Sequence, residues 1–426
     1  MIRKILVALL LIITTTLSAQ RTNSSPYSFF GIGEEFNPLT VEQSSMGGIG
    51  VAFSHYKYLN FTNPAALADL RYTTYSFGML NNDLTVDNGV AKQNVTSTSL
   101  SYGAIAFPIG KKAGFSVGIQ PVSSVGYSLS DPDPDVDPTQ ITVYSGSGGV
   151  NRFYGSFGIK VTKEFSLGIE GDFSFGNVDN NITNQRIDVA LATKYHENLN
   201  VRGGSVKIGT QYQKELKNKL TINAGATLKL GNSLNVTGNE YLYSLSFSGA
   251  GEIPRDTISA TSIKGSYDLP MKTTLGFGLG KFDKWYAGFE YENQNAIENV
   301  GFLNNTTTAY KYGKSNRISL GGFYLPKINS ISSYWERVTY RAGVRFQKTG
   351  LLVDGSGTGT NFNSINDFGI SFGLGLPLKQ LTNINAGFEF GKRGTTNNNL
   401  LQENYFNFRL SLSLTDINWF IKRKID

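Results

Sequence analysis

The chain has 426 residues, a formal net charge of +7 and no cysteine. Its length accommodates two or three soluble domains or one large barrel, but charged residues make up only 17% of it, against about 25% in an ordinary soluble domain. The missing cysteines exclude disulfides, thiol catalysis, thiolate metal sites and a lipoprotein anchor. The positive charges form no stripe of the kind that binds nucleic acid.

The first residues have the features of a secretory signal. Arg3 and Lys4 give a positive start, residues 5–13 form an apolar run too short to span a bilayer, and residues 17–19 fit the small-residue cleavage rule. We therefore predict a signal peptide over residues 1–19 and an exported mature chain. No later stretch has the roughly 18 continuous apolar residues of a membrane helix, so a membrane crossing requires strands.

Residues 20–70 show no regular periodicity and are rich in Gly, Ser, Asn and Pro. The stretch contains SSPYSFFGIG, SSMGGIGVA and FTNPAALADL. We predict a compact, irregular N-terminal segment that acts as a plug or hatch.

From residue 71 onward, apolar and polar residues alternate with period two. In residues 406–414, Phe and Leu alternate with Asn, Arg and Ser, which is typical of a strand with one apolar face. Strand candidates start near residues 71, 98, 114, 151, 164, 204, 219, 271, 284, 316, 338, 366, 381 and 403. Residues 71–426 are therefore predicted to form an all-β fold, a transmembrane up-and-down β-barrel of about 14 antiparallel strands.

The connections between these strands alternate in length, which supports the barrel. Long polar links are predicted over residues 81–97, 128–149, 177–202, 231–270, 293–315, 349–365 and 392–402. Short turns lie between them, except for a connection of medium length over residues 326–334. Outer-membrane barrels have short periplasmic turns and long external loops, so both ends of the barrel face the periplasm. The short turns are rich in lysine, which serves solubility or contacts an acidic periplasmic partner.

Charged residues on the polar faces of the strands are predicted to point into the lumen, because a charge facing lipid is costly. Two roles remain open for them: a network of ion pairs that braces the wall and holds the plug, or a lining that selects a permeant. The lumen residues are Glu170, Asp172, Glu290, Arg317, Arg341, Arg345, Glu389 and Arg409.

No catalytic constellation, cofactor site or metal site is predicted. The two histidines, His55 and His196, lie far apart, without metal-ligand spacing and without a nucleophile nearby. Residues 131–138, DPDPDVDP, offer carboxylates to calcium, but the interleaved prolines favour a stiff, extended acidic loop.

The exported pattern of fourteen strands behind a plug that contains NPAALA resembles the FadL/TodX-type long-chain fatty acid transporter family. SSPYSFFGIG, SSMGGIGVA and the ending NWFIKRKID also resemble a subgroup related to the type IX secretion barrel subunit PorV. The resemblance implies that Asn63, Pro64 and Ala65 belong to a plug beside the lumen. We expect these residues to lie against lumen charges such as Arg341 and Arg345.

Pro121 interrupts the third strand and has no amide hydrogen for a ladder. We predict a bulge or inward kink there, extending towards Gly126, which is either a harmless irregularity or a lateral gap of the kind that the resemblance implies. The predicted function is passive uptake of small hydrophobic molecules through a channel in the cell outer membrane. The alternative is a non-transporting barrel in a protein secretion or assembly complex, with other outer-membrane or periplasmic proteins as partners.

Overall fold

The computed structural model describes residues 25–249, 251–302, 309–378 and 382–416. The predicted signal peptide over residues 1–19, residues 20–24 and the ending NWFIKRKID lie outside the described residues. Within the described ranges, no helix is both long enough and apolar enough to cross a membrane.

Fourteen antiparallel strands form one closed barrel. They pair in chain order, and the last strand pairs with the first. Four of them consist of two segments with a short break between. The strands are β1 (Thr73–Asp87), β2 (Lys92–Ile109), β3 (Ala113–Asp133), β4 (Gln140–Lys160), β5 (Phe165–Arg186), β6 (Leu191–Glu215), β7 (Thr221–Lys229 and Asn232–Ser248), β8 (Gly251–Leu269 and Lys272–Lys281), β9 (Trp285–Gln294 and Glu298–Val300), β10 (Tyr310–Tyr312 and Ser315–Tyr324), β11 (Thr339–Val353), β12 (Asn363–Pro377), β13 (Asn383–Gly394) and β14 (Gln402–Asp416).

As predicted, the period-two pattern places apolar residues on the outer face of the wall and polar residues on the inner face. On β5, Ile169 and Phe173 are about half exposed on the outer face, whereas Glu170 and Asp172 are buried on the inner face. The barrel therefore has an apolar exterior and a polar lumen, which is the inverse of a soluble sandwich.

Four of the predicted long polar links, those over residues 81–97, 128–149, 177–202 and 231–270, are mostly strand, and this part of the prediction is wrong. β3 runs to Asp133 and β4 starts at Gln140, so the link predicted over residues 128–149 is a hairpin with a six-residue turn. The links predicted over residues 177–202 and 231–270 are likewise largely strand. In these outer portions the apolar residues Val178 and Leu199 face inward. The alternation therefore has the opposite sense from that of the lipid-facing band, where apolar residues face outward.

The hatch, residues 25–70, fills the lumen with short elements. It contains the 3-10 turn Pro26–Phe29, the two-residue strand Glu34–Glu35, the helix Val41–Ser44 and the 3-10 turn Pro64–Asp69. The helix begins with a capping box, because Thr40 and Gln43 satisfy each other's backbone amides. In the same way, the Asn63 side chain accepts a hydrogen bond from the amide of Ala65.

The hatch is seated on glycines of the wall. On eleven successive strands, β3 to β13, a glycine stands where a Cβ atom would press against hatch atoms. Because only glycine lets another backbone approach so closely, this glycine belt fixes the position of the hatch between residues 45 and 67. Its members are Gly114, Gly158, Gly168, Gly209, Gly225, Gly276, Gly288, Gly321, Gly343, Gly373 and Gly387.

Candidate functional site

The ladder between β2 and β3 is incomplete. It runs from the pair Ile109 and Ala113 to the pair Gly103 and Ile119, and stops there. β2 remains paired with β1 beyond this point, and β3 remains paired with β4. The two strands therefore part on their outer portions, and we call this opening the seam.

β3 turns into the lumen at the seam. The register between β3 and β4 shifts between Pro121 and Ser123, which leaves Val122 as a bulge. Residues 123–127 are then all buried, although a wall strand normally alternates between buried and exposed residues. The predicted irregularity at Pro121 is therefore present as a bulge and an inward kink. Gly126 lies in the kinked segment, where its amide donates to the Ser28 hydroxyl over 3.0 Å.

The first part of the hatch, residues 25–39, covers the seam from inside; we call it the strap. Its strand Glu34–Glu35 pairs antiparallel with Ser124 and Ser123 of β3, just past the bulge. The amide of Phe36 donates to the Val122 carbonyl over 2.8 Å. The strap thus satisfies part of the β3 edge that β2 leaves unpaired.

The strap is also tied to β13 and β14. Glu34 forms an ion pair with Arg393, which is also 3.4 Å from Glu403. The Ser25 hydroxyl donates to Glu403 over 2.5 Å. These polar contacts hold the strap to β13 and β14, in addition to its hydrogen bonds with β3.

A cavity of about 110 Å³ lies inside the seam, between the strap and the wall. Pro121 and Val122 form part of its lining, together with strap residues 35–39. Opposite them, β7 and β8 are both interrupted at the same level, at residues 230–231 and 270–271. The cavity therefore lies where three wall strands depart from regular geometry.

Apolar side chains line the outer part of the lumen, although the sequence suggested no hydrophobic cluster there. The cluster joins wall residues such as Val125, Val150 and Tyr267 to Ile32 of the strap, and Phe29 packs against it. Phe29 also meets Tyr127 edge to face at 5.2 Å. The strap is thus packed into an apolar cluster of the outer wall.

The predicted lumen charges all point inward, and most form ion pairs. Glu170 and Asp172 bind Arg152, Arg317 binds Glu290, and Glu389 lies between Arg345 and Arg409. Arg341 instead donates to Asn385, and its guanidinium lies 5.5 Å from the Tyr58 ring centre.

Several of these groups also hold the hatch. One Glu290 carboxylate oxygen accepts hydrogen bonds from the amides of Gly50 and Val51, both at 2.8 Å. Lys207 donates to the Phe61 carbonyl over 2.8 Å. Asn385 donates to Glu42 over 2.8 Å. Of the two predicted roles, bracing of the wall and the hatch accounts for these contacts directly.

The predicted contact of Asn63, Pro64 and Ala65 with Arg341 and Arg345 is wrong. Pro64 and Ala65 pack against Gly158 and Gly168, and the Asn63 amide donates to the carbonyls of Val51 and Thr210. The three residues lie against β4 to β6, whereas the two arginines belong to β11. The belt glycines admit the hatch backbone on this side of the lumen.

At the end of the barrel with the short turns, His55 of the hatch is buried beside the turn between β8 and β9. Its Nε2 lies 3.4 Å from the Asp283 carboxylate, and its ring stacks on Tyr56. Burial lowers the pKa of His55 to about 4, and the Asp283 carboxylate offsets only part of that effect. Among the described residues, no cluster of His, Asp and Glu has an arrangement suited to a metal ion.

The sequence did not reveal the strap or the belt. The strap was missed because the residues that tie it down, such as Glu34 and Arg393, are remote in sequence. The belt was missed because a single glycine within a strand can have many local causes. The recurrence of one glycine in the inner half of nearly every strand was the available signal for the belt.

Solved structures with the same fold are transport channels. The CymD monoaromatic hydrocarbon channel matches with a TM-score of 0.58 and 15% identity, over 88% of this chain and 97% of the channel. The Pseudomonas putida toluene transporter TodX matches at 0.59 and 14%, over 89% and 98%. The Ralstonia pickettii toluene transporter TbuX matches at 0.57 and 13%, over 90% and 98%. The predicted FadL/TodX-type barrel is thereby confirmed as a fold.

A comparison with curated proteins finds no match. The expected relationship to PorV is not confirmed by these comparisons. The family model for BamG matches residues 1–426, the whole chain. The chain belongs to the BamG family of outer-membrane barrels.

Proposed function

We propose that this protein is a passive outer-membrane conduit for small hydrophobic molecules. The observation that carries the proposal is the seam, where the β2–β3 ladder stops and β3 turns inward to line a cavity. A barrel in lipid normally pairs all its strand edges, and bulges that re-aim a strand occur next to functional sites. The monoaromatic hydrocarbon channel CymD and the toluene transporter TodX, which share this fold, support the same class of cargo.

The route begins at the apolar cluster of the outer lumen. A hydrophobic molecule gains free energy there because it leaves water. From the cluster it passes the strap at Phe29 and Ile32 and reaches the cavity beside Pro121. The seam then offers an exit between β2 and β3, whereas a route straight through the barrel is filled by the hatch.

The strap is the part of the hatch that moves in this proposal. Two paired residues and a few side-chain bonds hold it at the seam. Residues 45–67, in contrast, pack by their backbone into the glycine belt. Release of residues 25–39 would open the seam without removing the rest of the hatch.

Because the natural chain has no cysteine, an introduced disulfide tests this proposal. Glu34 and Ser124 lie directly opposite each other, a position that suits a disulfide, so Glu34→Cys with Ser124→Cys would lock the strap to β3. The control lock, Ser76→Cys with Ser413→Cys, joins β1 to β14, where the two residues lie directly opposite and their hydroxyls are 3.1 Å apart, and it leaves the strap free.

The measurement is entry of the apolar dye N-phenyl-1-naphthylamine into cells that carry the protein in a lipopolysaccharide-covered outer membrane. Such a membrane excludes the dye, whereas a bare lipid bilayer admits it without any protein. We expect the strap lock to abolish entry and dithiothreitol to restore it, while the control lock leaves entry unchanged. Equal entry with the strap locked and reduced would reject the seam route. Absence of entry in the unmodified protein would reject the conduit.

We propose a second candidate, a barrel subunit of an outer-membrane protein secretion or assembly complex. The BamG family match supports it, and so does the connection between β10 and β11. Within that connection, Ile331 is fully exposed and Trp335 is 63% exposed, close to Lys327 and Arg337. Co-purification of other outer-membrane proteins in mild detergent, in fixed ratio by mass spectrometry, would favour this candidate. Their loss after Ile331→Ser with Trp335→Ser would locate the contact.

A further inference from the structure

The apolar band on the outer face of the wall ends abruptly on β9 to β12. Its last row consists of four residues that lie directly opposite one another in successive ladders, Tyr291, Ile318, Phe346 and Phe368. Ile318 is 44% exposed and Phe346 is 56% exposed, so this row faces outward. Two residues further towards the outer end, the next outward row is Asn293, Asn316, Lys348 and Asn366. The wall therefore changes from apolar to polar within one step, as expected where lipid chains meet headgroups.

Two lysines lie at this boundary on the outer face. Lys348 of β11 lies directly opposite Asn366 of β12, and Lys392 of β13 lies directly opposite Phe368 of β12. Both lysine side chains are exposed. Only β12 separates their strands, so the two lysines are two strand spacings apart, about 10 Å across the sheet. They form a pair of positive charges at the level of the lipid headgroups.

The adjacent strand β10 adds positive charge to this face. Lys311 lies in its outer segment and Lys314 in the break between its two segments, and both are exposed. Lys311 lies over the Phe362 ring, 3.9 Å from the ring centre. We call Lys311, Lys314, Lys348 and Lys392 the lysine cluster. Within the described ranges, none of the four forms an ion pair with a carboxylate.

The acidic side chains near the lysine cluster are engaged elsewhere or remain apart from it. Three carboxylates of β12 to β14 face the lumen and pair with arginines there: Asp367, Glu389 and Glu403. On β1, two strands beyond β13, Asp83 accepts a hydrogen bond from Thr96, and Asp87 pairs with Lys92. Glu298 of β9 is exposed and forms no ion pair with a described lysine. The ammonium groups of the cluster therefore keep donors for an external anion.

An aromatic surface lies directly beneath the two boundary lysines. Phe346 precedes Lys348 by two residues on the same face, and its ring lies 4.6 Å from that of Phe368. Phe390 precedes Lys392 in the same way, and its ring lies 4.8 Å from that of Phe406. Phe346 is 56% exposed and Phe390 is 55% exposed. Acyl chains that pack on these rings would bring their own headgroup to the lysines above.

We propose that this face of β10 to β13 binds a phosphorylated glycolipid of the outer leaflet, of the lipopolysaccharide class. Its phosphate groups would accept hydrogen bonds from Lys348 and Lys392, and its acyl chains would pack on Phe346 and Phe390. The separation of the two lysines suits a headgroup that carries more than one phosphate, rather than a single phosphodiester. The site lies on the outside of the wall, so it is independent of the seam and of the proposed conduit.

Bisphosphoryl lipid A is the probe, and phosphatidylglycerol and phosphatidylethanolamine are the comparison lipids. Native mass spectrometry of the purified full-length barrel in detergent, titrated with each lipid, is the measurement. We expect lipid A to bind at least tenfold more tightly than phosphatidylglycerol, because it offers two phosphates to the lysine pair. Equal or tighter binding of either comparison lipid would overturn the proposal.

The variant Lys348→Gln with Lys392→Gln tests the residues and should weaken lipid A binding at least tenfold. Arg202→Gln with Lys264→Gln is the control, because it removes the same charge from exposed positions of β6 and β8, and it should leave lipid A binding unchanged. Equal weakening by the two variants would overturn the proposal. Should the double variant at the lysine cluster not fold, each single substitution should still weaken binding, and unchanged binding in both would overturn it.

A protein partner is the other possible occupant of this face, and the same variant distinguishes it. Loss of a co-purified outer-membrane protein from Lys348→Gln with Lys392→Gln, at unchanged lipid A binding, would overturn the lipid site and assign the face to that protein. Loss of lipid A binding at unchanged dye entry would support the lipid site and leave the conduit intact.

Discussion

Gly158 of β4 lies directly opposite Gly168 of β5, and the hatch backbone at Pro64 and Ala65 occupies the space that their side chains would need. A side chain at either glycine would meet the hatch backbone, so both positions must lack one. The same relation recurs at Gly209 of β6, where the missing side chain admits Asn63 and Pro64.

Gly168→Val is therefore expected to displace the hatch. The added side chain meets backbone atoms of Pro64 and Ala65, which have no flexible end that can move aside. We expect steady leak conductance in planar bilayers and faster proteolysis within residues 25–70. Gly171→Val is the matched control on the same strand, because a Cβ atom at Gly171 has no neighbour within 4 Å. Equal conductance for the two variants would contradict a fixed seat for the hatch.

Glu290→Gln is expected to loosen the hatch by another mechanism. The change removes the negative charge that accepts the amides of Gly50 and Val51 and that compensates buried Arg317. Loss of one partner of a buried ion pair costs about 3–5 kcal/mol, so the free energy of unfolding in urea should fall by about 3 kcal/mol. Glu292 also pairs with Arg317, but its described contacts are all with the wall. Glu292→Gln should therefore leave proteolysis of residues 25–70 slow.

The strands and the lumen charges were accessible to sequence reasoning because they depend on local alternation. Ile169 and Glu170 lie on opposite faces of β5 because successive residues of any strand alternate between its two faces. Pro121 was accessible for a similar reason, since a missing amide hydrogen disturbs any ladder.

The outer portions of the strands were predicted as loops because the environment of each face changes along the strand. Val178 and Leu199 face inward, while the polar residues beside them face outward. Alternation persists, but its polarity no longer matches that of the lipid-facing band, and the polar content favoured a loop. The contact of Gly168 with Ala65 spans about a hundred residues of chain, so no local pattern specifies it.

His55 makes the hatch sensitive to acid. Its pKa is about 4 in the folded protein because of burial and about 6.5 in an unfolded chain. Between these values the unfolded state binds the additional proton, so stability rises with pH in this window and is lost as the pH falls from 6.5 to 4. We expect a loss of about 2 kcal/mol between pH 7 and pH 5.

Thermal unfolding of the barrel at pH 7 and pH 5, followed by its mobility on unheated denaturing gels, is the measurement. His55→Gln should reduce the difference between the two pH values, because glutamine does not titrate. An equal difference in both proteins would show that other groups cause the acid sensitivity.

Pro121→Val with Gly126→Ala is expected to restore the wall at the seam. Valine supplies the amide hydrogen that proline lacks, and alanine removes backbone freedom from the buried segment that follows. β3 would then continue alongside β2 beyond the pair Gly103 and Ile119, and entry of the apolar dye should fall several-fold at unchanged protein level. Pro377→Val, at the last residue of β12, is the control because it lies away from the seam. Undiminished entry through a wall whose closure is verified by protection of the β2 and β3 amides from hydrogen exchange would favour the complex-subunit function.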